Sequence, residues 1–231
     1  HTDMHNGQWR RAGRNSAPDA RHGDLSGKTL GILGYGEIAQ AVAERAKVFG
    51  MHICAVARSE RAQVPEPLDW IGTRPDFDKL LQTSDFIAVT CDLTDETRGM
   101  IDQAAFDMMK PTAYLINVAR GEVVDEDALF GAMKNRKIGG AALDTWYRYP
   151  QNVVTPEEDP DRGGPYQGSA HDFLSLDNVL LTPHSAAHTN GADLGRYVSI
   201  AETIEAYQSG ADMKRYVVTG LGTNLDGFQM P

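Results

Sequence analysis

Cysteine is scarce in this 231-residue sequence, where Cys54 and Cys91 are the two present. Each lies in an apolar run, Ile53-Cys54-Ala55-Val56 and Ile87-Ala88-Val89-Thr90-Cys91, where a free thiol acts as a small hydrophobe. Neither belongs to a C-x-x-C pair, so no thiolate metal site is expected and a reducing, cytoplasmic setting is. Long apolar runs are lacking as well, none approaching the roughly 20 residues that span a bilayer. The start carries no basic, apolar and small-residue leader pattern. Positive net charge is also missing: the formal value is −10 at pH 7. Nucleic acid and anionic membranes are therefore not the expected partners. An anionic ligand has to be held by local groups.

What is present is alternation. From Leu25 onward, short apolar runs alternate with amphipathic stretches, the pattern of βαβ units on a parallel sheet. Strands are expected at Thr29–Leu33, His52–Ala57, Phe86–Cys91, Ala113–Val118, Ala141–Leu143 and Val179–Leu181. The spacing of Ile38, Ala41, Val42, Arg45, Ala46 and Phe49 predicts a helix stopped by Gly50. Further helices are expected at Phe77–Leu81, Gln103–Met109, Asp125–Asn135 and Leu194–Gln208. The result is an α/β fold, a Rossmann-type doubly wound parallel sheet with helices on both faces. Tyr149–Ser175, rich in Pro, Gly and Asp, reads as a long loop.

Gly34-Tyr35-Gly36-Glu37-Ile38-Ala39 is a G-x-G-x-x-A turn between the first strand and its helix. Its glycines permit a tight turn and the close approach of a diphosphate, and the helix N-terminus offers N–H groups to the anion. Glycines serving only a turn are the plainer alternative. An NAD site usually carries Asp or Glu at the end of the second strand. Here that strand runs into Ala57-Arg58-Ser59-Glu60-Arg61. A guanidinium and a hydroxyl at Arg58 and Ser59 suit a 2′-phosphate. NADP is the expected cofactor, with NAD possible; Arg58 and Arg61 as solvated surface charges are the alternative.

Several segments together resemble the D-isomer-specific 2-hydroxyacid dehydrogenases. They are Leu25 to Ala39, Leu93-Thr94-Asp95-Glu96-Thr97-Arg98-Gly99-Met100-Ile101, Met109 to Asp125, Gly140-Ala141-Ala142-Leu143-Asp144 and Asn178-Val179-Leu180-Leu181-Thr182-Pro183-His184. The resemblance spans about residues 22 to 200 and implies a cofactor domain inserted within a substrate domain. The expected division is residues 1–24 as linker or end of a substrate-domain segment, 25–189 as the dinucleotide-binding domain, and 190–231 as return helix and tail. Opening on His1, the chain reads as a fragment whose substrate domain is largely missing.

The resemblance further implies that Arg120 binds a substrate carboxylate and polarises its carbonyl, and that His184 is the general acid/base. It implies a cofactor lining that includes Cys91, Asp92, Thr97, Val118, Ala119 and Asp144, the last near the carboxamide. One departure stands out: the family's catalytic glutamate should fall where this sequence has Tyr149. A phenol ionises only near pH 10 and brings no negative charge to the histidine. Reduction is therefore expected to weaken at mildly alkaline pH. Glu157, Glu158 or His171 from the following loop are candidate substitutes. A second departure is Asp92, where the family has proline or another uncharged residue.

By the same resemblance, the expected substrate is a small 2-oxo or 2-hydroxy acid, such as glyoxylate or hydroxypyruvate. A homodimer is expected through the segment before Leu25 and the 149–175 loop. Two alternatives stay open. Formate-dehydrogenase-like hydride transfer needs no hydroxyl proton, and a dinucleotide-sensing protein needs no catalysis.

Overall fold

In the computed structural model, the described residues are 23–149 and 168–211. Strand β1 (Thr29–Leu33) is followed by helix α1 (Glu37–Val48) and β2 (His52–Val56). After β3 (Trp70–Gly72) come α2 (Phe77–Thr83) and β4 (Phe86–Val89). Helix α3 (Gln103–Met108), β5 (Tyr114–Asn117), α4 (Glu126–Lys134) and β6 (Gly140–Leu143) continue the alternation. Strand β7 (Val179–Leu181) and helix α5 (Asn190–Gln208) complete it.

The strands form one seven-stranded sheet in the order β3-β2-β1-β4-β5-β6-β7, and every pairing is parallel. Consecutive residues point to opposite faces, which splits the core in two. Ile32, Ile53 and Ala88 pack with Ala39, Ala43 and Ala46 of α1. Leu33, Val89 and Leu115 pack with Leu80, Phe106 and Leu129 on the other face. Small residues on the buried side of α1 let it lie close to the sheet. Fully burying each large side chain contributes about 1.5–3 kcal/mol.

The doubly wound sheet is as the alternation predicts, with corrections at its margins. Strand β3 was not anticipated; three residues are too short to show a period of two. The β4 and β5 segments are shorter than expected: Thr90 and Cys91 already belong to the loop beyond β4, and Ala113 and Val118 flank β5. Asp125 caps α4, accepting from the Ala128 N–H, where the sequence suggested its first turn. Helix α5 starts at Asn190, before Leu194, because Thr189 caps it through the Ala192 N–H. The end of the expected 149–175 loop is also structured. Phe173 is fully buried there, edge-on to Phe130 and Trp146.

Candidate active site

With the order β2-β1-β4-β5, chain direction reverses its progress across the sheet between β1 and β4. The loops leaving the carboxyl ends of those two strands must diverge, opening the crevice in which such sheets bind ligands. Gly34 stands at this point with φ +87°, and a Cβ on it would lie 2.6 Å from the Cys91 Cα. The Thr90 hydroxyl ties the same corner together by donating to the carbonyls of Leu33 and Gly34. Gly36 has nothing within 4 Å of where a Cβ would be, leaving its backbone open to an approaching group. No side chain caps the start of α1 behind it. An open glycine and an uncapped helix N-terminus fit a dinucleotide diphosphate.

The other residues expected on this loop differ in setting. Glu37 and Ile38 are exposed, whereas the Tyr35 ring is buried. Its hydroxyl has no partner among the described residues. Burial, aided by Glu44 and opposed by Arg61, pushes that phenol's pKa upward. The Tyr35 carbonyl accepts from Arg61 Nη2 at 3.5 Å. Arg61 also lines an open depression with Glu60, Ile71, Gly72, Thr73 and Asp76. Arg58 and Ser59 stay exposed beyond β2. Arg61, itself exposed, thus reaches the G-x-G-x-x-A loop.

Beyond β4, the half-buried Cys91 thiol has its pKa pushed up to about 11, chiefly by burial. Asp92 is exposed. The Thr97 hydroxyl closes a turn there, accepting from the Thr94 N–H at 2.8 Å and donating to the Asp92 carbonyl at 2.6 Å.

The loop after β5 is built by buried Asn117. Its amide nitrogen donates to the Arg120 carbonyl at 2.9 Å, and its oxygen accepts from the Ala119 N–H at 3.1 Å. These bonds fix half-buried Val118, buried Ala119 and exposed Arg120 at the sheet edge. The Arg120 Nη1 donates to the Ala119 carbonyl at 2.7 Å. Gly121 follows in close contact with Trp146, since a Cβ there would stand 2.5 Å from the Trp146 carbonyl carbon and oxygen.

Asp144, at the end of β6, is buried and organises the loop after β7. One carboxylate oxygen accepts from the Thr182 hydroxyl at 2.6 Å and the Ser185 N–H at 2.8 Å. The other accepts from the Ala186 N–H at 3.1 Å. Between these anchors His184 adopts φ 55°, a left-handed conformation unusual outside glycine. Its ring meets that of Tyr149 at 5.4 Å between centroids, tilted by 48°. The Tyr149 hydroxyl accepts from the Trp146 backbone N–H at 3.0 Å, and the Trp146 indole donates to the Thr182 carbonyl at 2.9 Å. The replacement residue Tyr149 therefore lies beside the histidine. His171 lies elsewhere, bonded to Asp127 at 2.6 Å and stacked on Phe130, so it does not take the missing glutamate's place. Glu157 and Glu158 fall outside the described residues.

Burial raises the Asp144 pKa, but bonds from Thr182, Ser185 and Ala186 and the nearby His184 hold it below the usual carboxylate range. A folded value below the unfolded one stabilises the fold above the unfolded pKa. That contribution is lost as pH falls through the folded value. Asp144→Asn should therefore lower Tm at pH 7, and the gap to the wild type should shrink below about pH 4. Thermal melts across pH check this; a gap independent of pH contradicts it.

The family profile described as D-isomer specific 2-hydroxyacid dehydrogenase, NAD binding domain, matches residues 1–186. The chain belongs to the D-isomer-specific 2-hydroxyacid dehydrogenase family. A glyoxylate reductase from Thermococcus gammatolerans is 40% identical over 205 residues, covering 88% of this chain and 56% of that enzyme. The chain thus spans about half the length of the curated relatives it matches. Two solved structures of similar shape differ in cofactor. An acyclic imino acid reductase in complex with NADPH and D-Arg has a TM-score of 0.69 at 27% identity, covering 90% of this chain and 58% of that one. D-lactate dehydrogenase with NAD+ from Lactobacillus jensenii has a TM-score of 0.68 at 26% identity, covering 95% and 62%. Both the resemblance to 2-hydroxyacid dehydrogenases and the Rossmann-type sheet expected from sequence hold. Asn117 and Trp146, which the sequence reading did not single out, fix loops of the candidate site through their hydrogen bonds. Both lay within or beside the motifs that carried the resemblance, without a chemical signal of their own.

Proposed function

We propose that this chain is the cofactor-binding part of an oxidoreductase that moves a hydride between NADP(H) and a small 2-oxo or 2-hydroxy acid of the glyoxylate or hydroxypyruvate kind. One observation carries it: a continuous set of contacts leads from the Arg120 loop through Gly121, Trp146 and Tyr149 to His184. A cation and an imidazole gathered at the carboxyl edge of this sheet suit a 2-oxo acid. The dinucleotide supplies the hydride at its nicotinamide ring. Arg120 holds the carboxylate and polarises the carbonyl. His184 gives a proton to the carbonyl oxygen during reduction and takes it back during oxidation. Tyr149 orients the imidazole without a carboxylate's charge. In this scheme the lining runs from Gly34, Tyr35, Gly36, Glu37 and Ile38 through Cys91, Asp92 and Thr97 to Val118, Ala119 and Asp144. Residues 25–189 form the dinucleotide-binding unit. The decisive assay is NADPH oxidation by the full-length protein with a panel of 2-oxo acids. NADPH binding without turnover of any acid would select the dinucleotide-sensing alternative, which Tyr149 favours.

NADP preference rests on Arg58, Ser59 and Arg61, with no carboxylate at the end of β2. Glu60 and Asp76 in the same depression oppose it. Charge-assisted hydrogen bonds contribute about 1.5–3 kcal/mol each. Replacing Arg58 with aspartate should therefore cut the preference for NADPH over NADH about 10- to 100-fold. An unchanged ratio removes this part of the proposal.

A cytoplasmic homodimer completes the proposal. Light scattering giving a monomer would refute the assembly, and cell fractionation tests the location. Among the described residues no helix is long and apolar enough to cross a membrane.

A further inference from the structure

We infer that Trp146 is the positioning residue that sets Arg120, Tyr149 and His184 relative to one another. The inference rests on the roles proposed above for Arg120 and His184. Those groups leave the sheet from different strands, so strand pairing alone does not fix their loops. Trp146 touches all three loops through different atoms. Its carbonyl closes against Gly121, next to Arg120, so tightly that a Cβ has no room. Its backbone N–H donates to the Tyr149 hydroxyl at 3.0 Å. Its indole Nε1–H donates to the Thr182 carbonyl at 2.9 Å, two residues before His184.

The indole itself is anchored. Trp146 is 6% exposed, and its ring lies edge-on to fully buried Phe173 at 6.4 Å. A rigid aromatic with one directional donor can hold a loop where a purely apolar side chain would only fill space. Asp144 grips the same loop through Thr182, Ser185 and Ala186. Trp146 adds what Asp144 lacks, a bond to Tyr149 and a packed contact with the Arg120 loop.

The test is Trp146→Phe in the full chain, which keeps a packed ring and deletes the indole donor. The expected result is a changed His184 Cε1–H resonance at equal pH. Turnover of glyoxylate should fall about 10-fold, since small misplacements of reacting groups cost this much or more. NADPH affinity should not change. An identical His184 resonance together with unchanged kcat overturns the inference. A second measurement needs no variant to fold. Among the indole N–H signals of Trp9, Trp70 and Trp146, that of Trp146 should exchange slowly with solvent, and fast exchange overturns the proposed bond. Both resonance readouts are independent of turnover. If the wild type reduces no 2-oxo acid, the functional proposal fails while the Trp146 result is still decided.

Discussion

Replacing His184 with glutamine should lower turnover of a small 2-oxo acid by about 10²- to 10⁴-fold, the usual contribution of a positioned acid/base group. NADPH binding should survive, because the phosphate loop is far along the sheet edge at β1 whereas His184 follows β7. Glutamine keeps a hydrogen-bonding side chain of similar reach but cannot exchange a proton near neutral pH. The loss should therefore appear in kcat and kcat/KM together, as expected for an interaction needed in the transition state. Steady-state kinetics with NADPH and glyoxylate check this. A variant that keeps wild-type turnover would remove His184 from the chemistry.

Gly34→Ala should damage both fold and cofactor binding. At φ +87° a side chain costs about 1–2 kcal/mol. The added methyl would also meet the Cys91 backbone at 2.6 Å, where no rotamer can relieve the clash. Overpacking of this kind costs about 1–3 kcal/mol more. At roughly 2–4 °C per kcal/mol for a chain of this size, Tm should fall by about 10 °C. Gly36→Ala is the control. Its Cβ meets nothing within 4 Å and its φ is an ordinary −95°, so Tm should hold. NADPH affinity should drop all the same, because the methyl occupies the space left for the diphosphate. Equal Tm losses in both variants would mean that the two glycines share one structural role.

The sequence made the fold legible wherever burial left a pattern. Strand β1 is a continuous buried run and helix α1 carries a helical apolar period, and the G-x-G-x-x-A turn between them falls where the chain passes from one to the other. Strand β3 escaped because Trp70-Ile71-Gly72 offers no repeat, and pairing with β2 is what makes it a strand. The site was legible as chemistry but not as geometry. Tyr149 could be placed against the histidine by counting along the motif, and the ring contact agrees. His171 could not be placed, because its partner Asp127 lies 44 residues earlier in the chain. Trp146 is similar: its bond to Thr182 spans 36 residues, and nothing local announces it. Arg61 carried no signal of its own beside Arg58 in one dimension, and only the turn after β2 brings it to the Tyr35 carbonyl.

A co-crystal of the protein with NADPH and an unreactive analogue of a 2-oxo acid tests the account most directly. The nicotinamide should lie with the Arg120 guanidinium on the analogue's carboxylate and the His184 imidazole within hydrogen-bonding reach of its carbonyl oxygen. A nicotinamide bound away from both side chains, or an empty cleft beside Gly36, would contradict it.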